Sequence, residues 1–326
     1  MGLVLMAAVA WALFLAVIAT AIAVGHPFLR RSLSRLHPSL RAHALRALGI
    51  APVGLAVLGV FLCFAPKLFG SALSRADHCF LHADGHAHFC LNHPPQVNLS
   101  AESWAGLALL VAIVAVVVVV QVWRFRRSAR ILNQLASTAR FDARRGAWLV
   151  DSELPIAISV GVLRPRTLLS SGLLQMIPTR LVDAIVAHEL AHERRRDGLW
   201  KPATELLSFG HLPGTRRALM GDLELACEQA CDEEAGDALG DRTRVAEALI
   251  AMERVRQNME SLGPAALAFG AYGVPARVES LVSDSPGRRW SQRVTLGLLA
   301  VGLATAAAAA DPLHHLTETL IHYVLG

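Results

Sequence analysis

The stretch LVDAIVAHELAH at residues 181–192 holds two histidines four positions apart, with a glutamate directly after the first. Spacings of four, three and four place one set of side chains on a single face of an α-helix: Leu181, Ile185, His188 and His192. This pattern predicts a helix that begins near Pro178-Thr179, with the threonine as N-cap or the proline in the first turn. Both histidines then continue the apolar stripe that packs against a core.

The same spacing is typical of a zinc site. Histidines four residues apart on a helix have Cβ atoms about 5–6 Å apart, which suits two imidazoles on one tetrahedral Zn²⁺ ion. Glu189 lies about 100° further around the helix, so its carboxylate faces a metal-bound water instead of the metal. Zinc lowers the pKa of that water toward about 7. We therefore predict that His188 and His192 are metal ligands and that Glu189 is the catalytic general base.

A third ligand is expected from a second predicted helix, Asp222 to Leu239. This segment is rich in acids: Glu224, Glu228, Asp232, Glu233, Glu234 and Asp237. Glu228 and Asp232 stand at i, i+4 spacing and share one face, so we assign Glu228 to zinc and Asp232 to the orientation of a ligating histidine. An alternative register puts Glu224 on zinc with Glu228 behind it, and the simplest alternative is a solvated acidic face.

Three further residues near the motif each have two interpretations in the sequence. Asp197 follows the run Arg194-Arg195-Arg196, where it can pair with the arginines or support the site, and a structural role is favoured. Cys227 and Cys231 also stand at i, i+4 spacing, and small-residue packing between helices is favoured over metal binding.

Short strands are predicted ahead of the zinc helix. A helix is expected over 124–145, then strands at 147–150, 156–162 and 167–169. Apolar and small residues alternate strictly over 156–162, which is typical of a half-buried strand. We predict that 156–162 is a sheet-edge strand beside the metal, to which an extended peptide substrate adds by main-chain hydrogen bonds.

The remainder of the chain indicates a membrane protein. Hydrophobic residues make up 54% and charged residues only 17%, against about 25% charged in ordinary soluble chains. Apolar blocks fall at about 3–24, 48–64, 104–123 and 294–310, and a bilayer takes about 20 helical residues to cross. No charged residue precedes His26, so the first block is expected to be a retained span and not a cleaved signal peptide.

The arginines predict the orientation of these spans. They crowd the loop after span one, the start of the segment after span three and the approach to span four, whereas the 70–102 loop has only Arg75. We expect a multi-pass inner (plasma) membrane protein with 1–124 as three spans, 125–287 as a cytoplasmic catalytic domain and 288–326 as the fourth span and outside tail. Positive-inside arginines account for most of the net charge of +5, so no nucleic-acid partner is predicted.

The outside loop at 70–102 has a biased composition. Cys79 and Cys90 lie where a disulfide can persist. Five histidines accompany them: His78, His82, His86, His88 and His93. One interpretation is a polar loop held by the disulfide, and the other is a Zn²⁺ or Cu²⁺ sensor site that includes His82, His86 and His88.

Several of these stretches together resemble the BlaR/MecR-type membrane zinc metallopeptidases, which are antibiotic-sensor signal transducers. The resemblance rests on Pro155 through Gly161 to Arg164-Pro165, the 188–192 motif with Asp197, Glu228-Gln229-Ala230-Cys231-Asp232, and Arg277-Val278-Glu279-Ser280-Leu281. It implies an α-helical membrane protein of about four spans with an inserted α+β gluzincin-like domain. It also implies that an outside signal triggers proteolysis of an inside protein, often a BlaI-type DNA-binding repressor, or of the chain itself.

The chain departs from that family in one respect. The antibiotic receptors carry a large penicillin-binding sensor after the fourth span, whereas only Asp311 to Gly326 follows it here, without the Ser-x-x-Lys nucleophile. A regulatory endopeptidase remains the leading hypothesis. The alternatives are a receptor scaffold or metal sensor that signals by binding alone, and a constitutive quality-control protease. Glu189 favours catalysis, because a structural zinc site needs no general base.

Overall fold

The computed structural model describes residues 2–69, 101–162, 164–260 and 273–283, together with 304, 305, 308, 312, 313, 315–317, 319 and 320. Most of them are helical. The cysteines and histidines predicted to act in the outside loop, Cys79, Cys90, His82, His86 and His88, lie outside the described residues. The predicted fourth span, 294–310, also lies outside them except for three positions.

Three described helices are long and apolar enough to cross a membrane. They are α1 (Gly2–Leu33), α2 (Pro38–Phe69) and α3 (Ala101–Ser137). Their apolar windows have mean hydropathies of 2.6, 2.4 and 2.9, because each contains a run of aliphatic residues with almost no charge. The predicted long apolar helices are confirmed for the first three blocks, and all three helices extend beyond those blocks.

The prediction of a helix over 124–145 is wrong for the residues after 137. Helix α3 ends at Ser137, and the chain forms strand β1 (Arg140–Asp142), antiparallel to β2 (Ala147–Val150). A tight turn joins the two strands. Asp142 accepts hydrogen bonds from the backbone N–H groups of Arg144 and Gly146, each at 2.9 Å, and Gly146 adopts a φ of 64°. Turn chemistry at Asp142 and Gly146 therefore outweighs helix propensity here.

The sheet has four described strands in the order β1-β2-β4-β3, with β3 at Ala157–Val160 and β4 at Arg166–Ser170. Strand β2 is parallel to β4, and β3 is antiparallel to β4. The edge position predicted for the 156–162 strand is confirmed. The strand is shorter than predicted because Gly161 has a φ of 102°, which ends the extended conformation. Strict alternation of burial was also wrong, since Ala157 and Val160 are buried while Ile158 is half-buried.

Six described helices follow the sheet: α4 (Ser171–Met176), α5 (Thr179–Arg195), α6 (Asp197–Leu207), α7 (Pro213–Leu239), α8 (Arg242–Glu260) and α9 (Val274–Val282). The zinc-motif helix α5 forms where predicted, with Pro178 as its N-cap residue. Helix α7 contains the predicted 222–239 helix and begins nine residues earlier, with proline at its first position.

Two apolar cores hold this part together. In one core, α5 packs between the sheet and helices α7 and α8, through Leu169, Val182, Ile185 and their neighbours. In the other, Ala42 and Leu45 of α2 pack against Leu219 and Leu223 of α7. Helix α2 thus continues from its apolar span into contact with the segment predicted to be catalytic, so these contacts cross the predicted boundary at residue 124.

Candidate metal centre

Three side chains converge between α5 and α7. His188 Nε2 lies 3.2 Å from His192 Nε2, and the two nitrogens lie 3.4 and 3.5 Å from the carboxylate oxygens of Glu228. Zinc–ligand bonds of about 2.0–2.1 Å in a tetrahedral site place neighbouring ligand atoms about 3.3 Å apart. The donor set and its spacing therefore fit one zinc ion, with His188, His192 and Glu228 as ligands.

Small side chains on α7 allow Glu228 to approach α5. The buried face of α7 around Glu228 is built from alanines and cysteines: Ala226, Cys227, Ala230, Cys231 and Ala235. Such side chains let two helix backbones pack closely, and α7 indeed contacts α5. The small-residue packing predicted for the two cysteines matches their place on this face.

Neighbouring charges balance the charges of Glu228 and the two histidines. Burial alone would raise the pKa of Glu228, but hydrogen bonds from His188 and His192 and the charge of Lys201 hold it well below its usual range. Burial also opposes protonation of His192, yet Cys231 and Asp197 beside its Nδ1, together with Glu228, raise its pKa well above the usual value. Because zinc binds neutral imidazole, metal binding here must release protons.

Asp232 lies behind His188, where it was predicted. Its Oδ1 is 2.9 Å from His188 Nδ1, close enough for a hydrogen bond although the ring N–H points off the line between them. Arg277 on α9 donates two hydrogen bonds to Asp232, at 2.7 and 2.8 Å, and lies 3.2 Å from Glu228 Oε2. Burial raises the pKa of Asp232, but Arg277 and His188 outweigh burial and hold the pKa below its usual value, so the carboxylate stays ionised.

Asp197 contacts the second histidine, contrary to the structural role favoured for it in the sequence. Helix α5 ends at Arg195, its C-cap Arg196 adopts the left-handed conformation with a φ of 53°, and α6 starts at the next residue. This sharp turn folds Asp197 back, so that its Oδ2 lies 2.8 Å from His192 Nδ1. A carboxylate on the second nitrogen of a ligating histidine fixes its tautomer and ring orientation. In the sequence, the closeness of Asp197 to the 188–192 motif was the signal that could have indicated this contact.

Cys231 also lies beside His192, with its Sγ 3.3 Å from Nδ1 and 3.6 Å from Asp197 Oδ2. His192, Asp197 and Cys231 thus form a second group of potential metal donors. Burial raises the pKa of the Cys231 thiol to about 12, so it is protonated at neutral pH. In this second group His192 would use Nδ1, which Asp197 already contacts at 2.8 Å, whereas the first group uses Nε2 of both histidines.

Lys201 on α6 contacts both candidate glutamates of α7. Its Nζ lies 3.0 Å from Glu224 Oε1 and 3.1 Å from Glu228 Oε1. Glu228 continues inward to the histidines, whereas the side chain of Glu224 is 41% exposed. The geometry favours Glu228 over Glu224 as the third ligand. Lys201 itself was missed, because a single lysine in the segment LWKP carries no local signal of a site.

A cavity of about 400 Å³ opens beside the three ligands. His188, Glu189 and Lys201 line one part of it, and Ile158 and Ser159 of the edge strand line another. Among the described residues, the side chain of Glu189 makes no hydrogen bond or ion pair. Its carboxylate is therefore available to a molecule in the cavity, which is what a general base requires.

No protein-family model matches the chain, and neither does any curated protein or solved structure. The interpretation of this site rests on its own geometry.

Proposed function

We propose that this chain is a membrane-embedded zinc endopeptidase whose catalytic domain acts on a cytoplasmic protein. One observation carries the proposal: a trio of two histidines and one glutamate with zinc-ligand spacing faces a cavity that also holds the carboxylate of Glu189. Structural zinc sites usually have four protein ligands and no opening, whereas catalytic sites have three and leave one position for water or substrate.

The side chains divide the chemistry of peptide hydrolysis between them. His188, His192 and Glu228 would hold Zn²⁺, which when bound supplies a Lewis acid for the scissile carbonyl and for water. Glu189 accepts a proton from the attacking water and then donates it to the departing amine nitrogen, so its charge is restored at the end of the cycle. Asp197 and Asp232 hold the two imidazoles in orientation from their far sides.

The edge strand β3 is suited to hold the substrate. The backbone of Ile156 pairs with Ser170, accepting a hydrogen bond at 2.9 Å from its N–H group. Antiparallel pairing alternates, so Ile158 and Val160 also face β4, while the N–H and C=O groups of Ala157 and Ser159 point away from it. An extended peptide can add to this open edge, which lines the same cavity as Glu189.

A regulatory substrate inside the cell agrees with two features of the sequence. The arginine distribution puts the 125–287 segment on the cytoplasmic side of the plasma membrane. The likeness to BlaR/MecR-type, gluzincin-like metallopeptidases points to a BlaI-type repressor, or the chain itself, as the protein cleaved. The lipid bilayer is the other partner, through α1, α2 and α3.

The proposal is tested by substituting Glu189→Gln in the full-length protein. We expect cleavage to fall by about 10²–10⁴-fold, the usual contribution of a general base, while zinc content stays at one ion per chain. New protein termini in cells, followed by mass spectrometry, identify the substrates.

Glu193→Gln is the matched control, because Glu193 lies one turn further along α5, bonds Thr167 at 2.7 Å and is not part of the cavity wall. Equal cleavage by wild type and Glu189→Gln, or a wild-type protein without zinc, would overturn the proposal.

A further inference from the structure

A buried arginine on the second membrane helix reaches the far side of a metal ligand. Arg46 of α2 is 7% exposed, and its NH2 group forms an ion pair with Oδ1 of Asp197, which is 2% exposed. The other oxygen of Asp197 lies 2.8 Å from His192 Nδ1, and Nε2 of that ring faces His188 and Glu228. Two contacts therefore join α2 to the metal centre.

Arg46 lies where α2 docks on the remainder of the protein. Ala42, one turn earlier, and Leu45, directly before it, pack against α7. Three residues later, a Cβ atom at Gly49 would lie 2.7 Å from Cγ2 of Thr204 on α6, so glycine is what permits the helices to approach this closely. Beyond this point α2 continues as an apolar segment to Phe64. The position of α2 against α6 thus sets the distance from Arg46 to Asp197.

Arg46 is the closest cation to Asp197 among the described residues. Arg195 also approaches it, with its Nε 3.8 Å from Oδ2, but its NH1 is directed to Glu234 and Ser39, each at 3.1 Å. A hydrogen-bonded guanidinium restricts the orientation of a buried carboxylate, and its removal takes that restraint from Oδ1 of Asp197. The orientation of Asp197 in turn decides which tautomer and ring angle His192 presents to a metal.

We propose that Arg46 is a positioning residue for the metal centre, which acts through Asp197 on His192 and makes zinc affinity depend on where α2 lies. This inference rests on the proposed zinc site. In this proposal, displacement of α2 changes the orientation of His192, because separation of α2 from α6 removes the guanidinium from Asp197.

The first test measures metal binding by the purified full-length protein in detergent. Zn²⁺ affinity is measured by chelator competition, and Co²⁺ is substituted so that its visible absorption bands report ligand geometry. We expect Arg46→Gln to weaken Zn²⁺ binding by about 10–100-fold, as for other partners of ligating histidines, and to shift the Co²⁺ bands. Arg46→Lys keeps the charge, but an ammonium on a shorter side chain does not reproduce the position of the guanidinium NH2, so it should recover only part of the affinity.

Arg30→Gln is the control for loss of an interhelical ion pair. Arg30 on α1 pairs with Asp222 on α7 at 2.7 Å and so also joins a membrane helix to the catalytic segment, but Asp222 contacts no ligand. This variant should keep wild-type Zn²⁺ affinity and Co²⁺ bands. If Arg46→Gln melts at the wild-type temperature and binds Zn²⁺ as wild type does, the inference is wrong while the proposed function stands.

The second test changes the position of α2 without changing any charge. Gly49→Val pushes α2 away from Thr204, whereas Gly54→Val, on the same helix, meets nothing closer than Ile50 at 3.7 Å. Zn²⁺ should bind more weakly to the first variant than to the second. Equal affinities would show that α2 is not coupled to the centre, and a wild-type protein that binds no Zn²⁺ would instead refute the proposed function.

Discussion

Glu228 is a buried carboxylate with contacts from four basic side chains: His188, His192, Lys201 and Arg277. A buried charge is tolerated only where such partners compensate for the water it loses. The Nε2 atoms of the two histidines are directed at the same point as the Glu228 carboxylate. A cation placed between three such groups replaces the protons that they share in its absence.

The contrast between the two glutamates on α7 gives a residue-scale prediction. Glu228→Ala should lose zinc, since it removes a ligand, and Glu224→Ala should keep one zinc per chain, since Glu224 bonds only to Lys201 of that group. Metal content after dialysis, measured by atomic emission, distinguishes the two. The substitutions are matched, because both remove a carboxylate from Lys201. Retention of zinc by Glu228→Ala together with its loss from Glu224→Ala would reverse the assignment.

At the scale of elements, the edge strand β3 combines two kinds of backbone position. Ile158 bonds inward to β4, and Ser159 presents its backbone groups to the open edge. Gly161 is a separate case. Its φ of 102° is inaccessible to proline, and a Cβ atom there would lie 2.6 Å from the Arg164 carbonyl oxygen, so proline at this position would damage the loop itself.

Proline substitutions along β3 therefore predict opposite outcomes at neighbouring residues. Ser159→Pro removes an N–H group that β4 does not use, so the fold and zinc content should survive. Its kcat/KM should fall by about 2- to 10-fold, the equivalent of one hydrogen bond to the substrate. Ile158→Pro removes a ladder bond and should lower the melting temperature. Normal cleavage by a folded, zinc-loaded Ser159→Pro protein would place the substrate elsewhere.

For the whole molecule, the loop between α1 and α2 packs against the segment that carries the histidine motif. Arg30 at the end of α1 pairs with Asp222 at 2.7 Å, and Ser39 at the start of α2 accepts a hydrogen bond from Arg195 at 3.1 Å. Any membrane orientation must therefore keep residues 30–41 and the metal centre together, and the arginines predict that this side is the cytoplasm.

Reporter fusions test that orientation. An enzyme that is active only outside the cytoplasm should work when fused after Ser100 and fail when fused after Gly172. A fusion after Leu36, between α1 and α2, is the internal control and should fail as well, because it shares the side of Gly172. Activity of the Gly172 fusion would place the catalytic domain outside and exclude a cytoplasmic substrate.

Local pattern accounts for the part of this protein that could be predicted from its sequence. Helical spacing was enough to predict α5 and the shared face of His188 and His192, because a period of 3.6 residues is a property of neighbouring positions. Apolar length was enough for α1, α2 and α3. The acidic face of α7 limited the candidates for a third ligand to Glu224 and Glu228. The alternation of apolar and small residues in the sequence predicted the edge strand.

Only the tertiary structure decided which distant side chains surround the two histidines. Arg46 meets Asp197 across 151 positions, and Arg277 meets Asp232 across 45. Lys201 lies between two glutamates more than twenty positions away. No local period encodes such contacts, because they depend on how α2, α6 and α9 pack around α5 and α7. The sequence by itself therefore determined the motif and its helix, and packing determined the charges that orient its ligands.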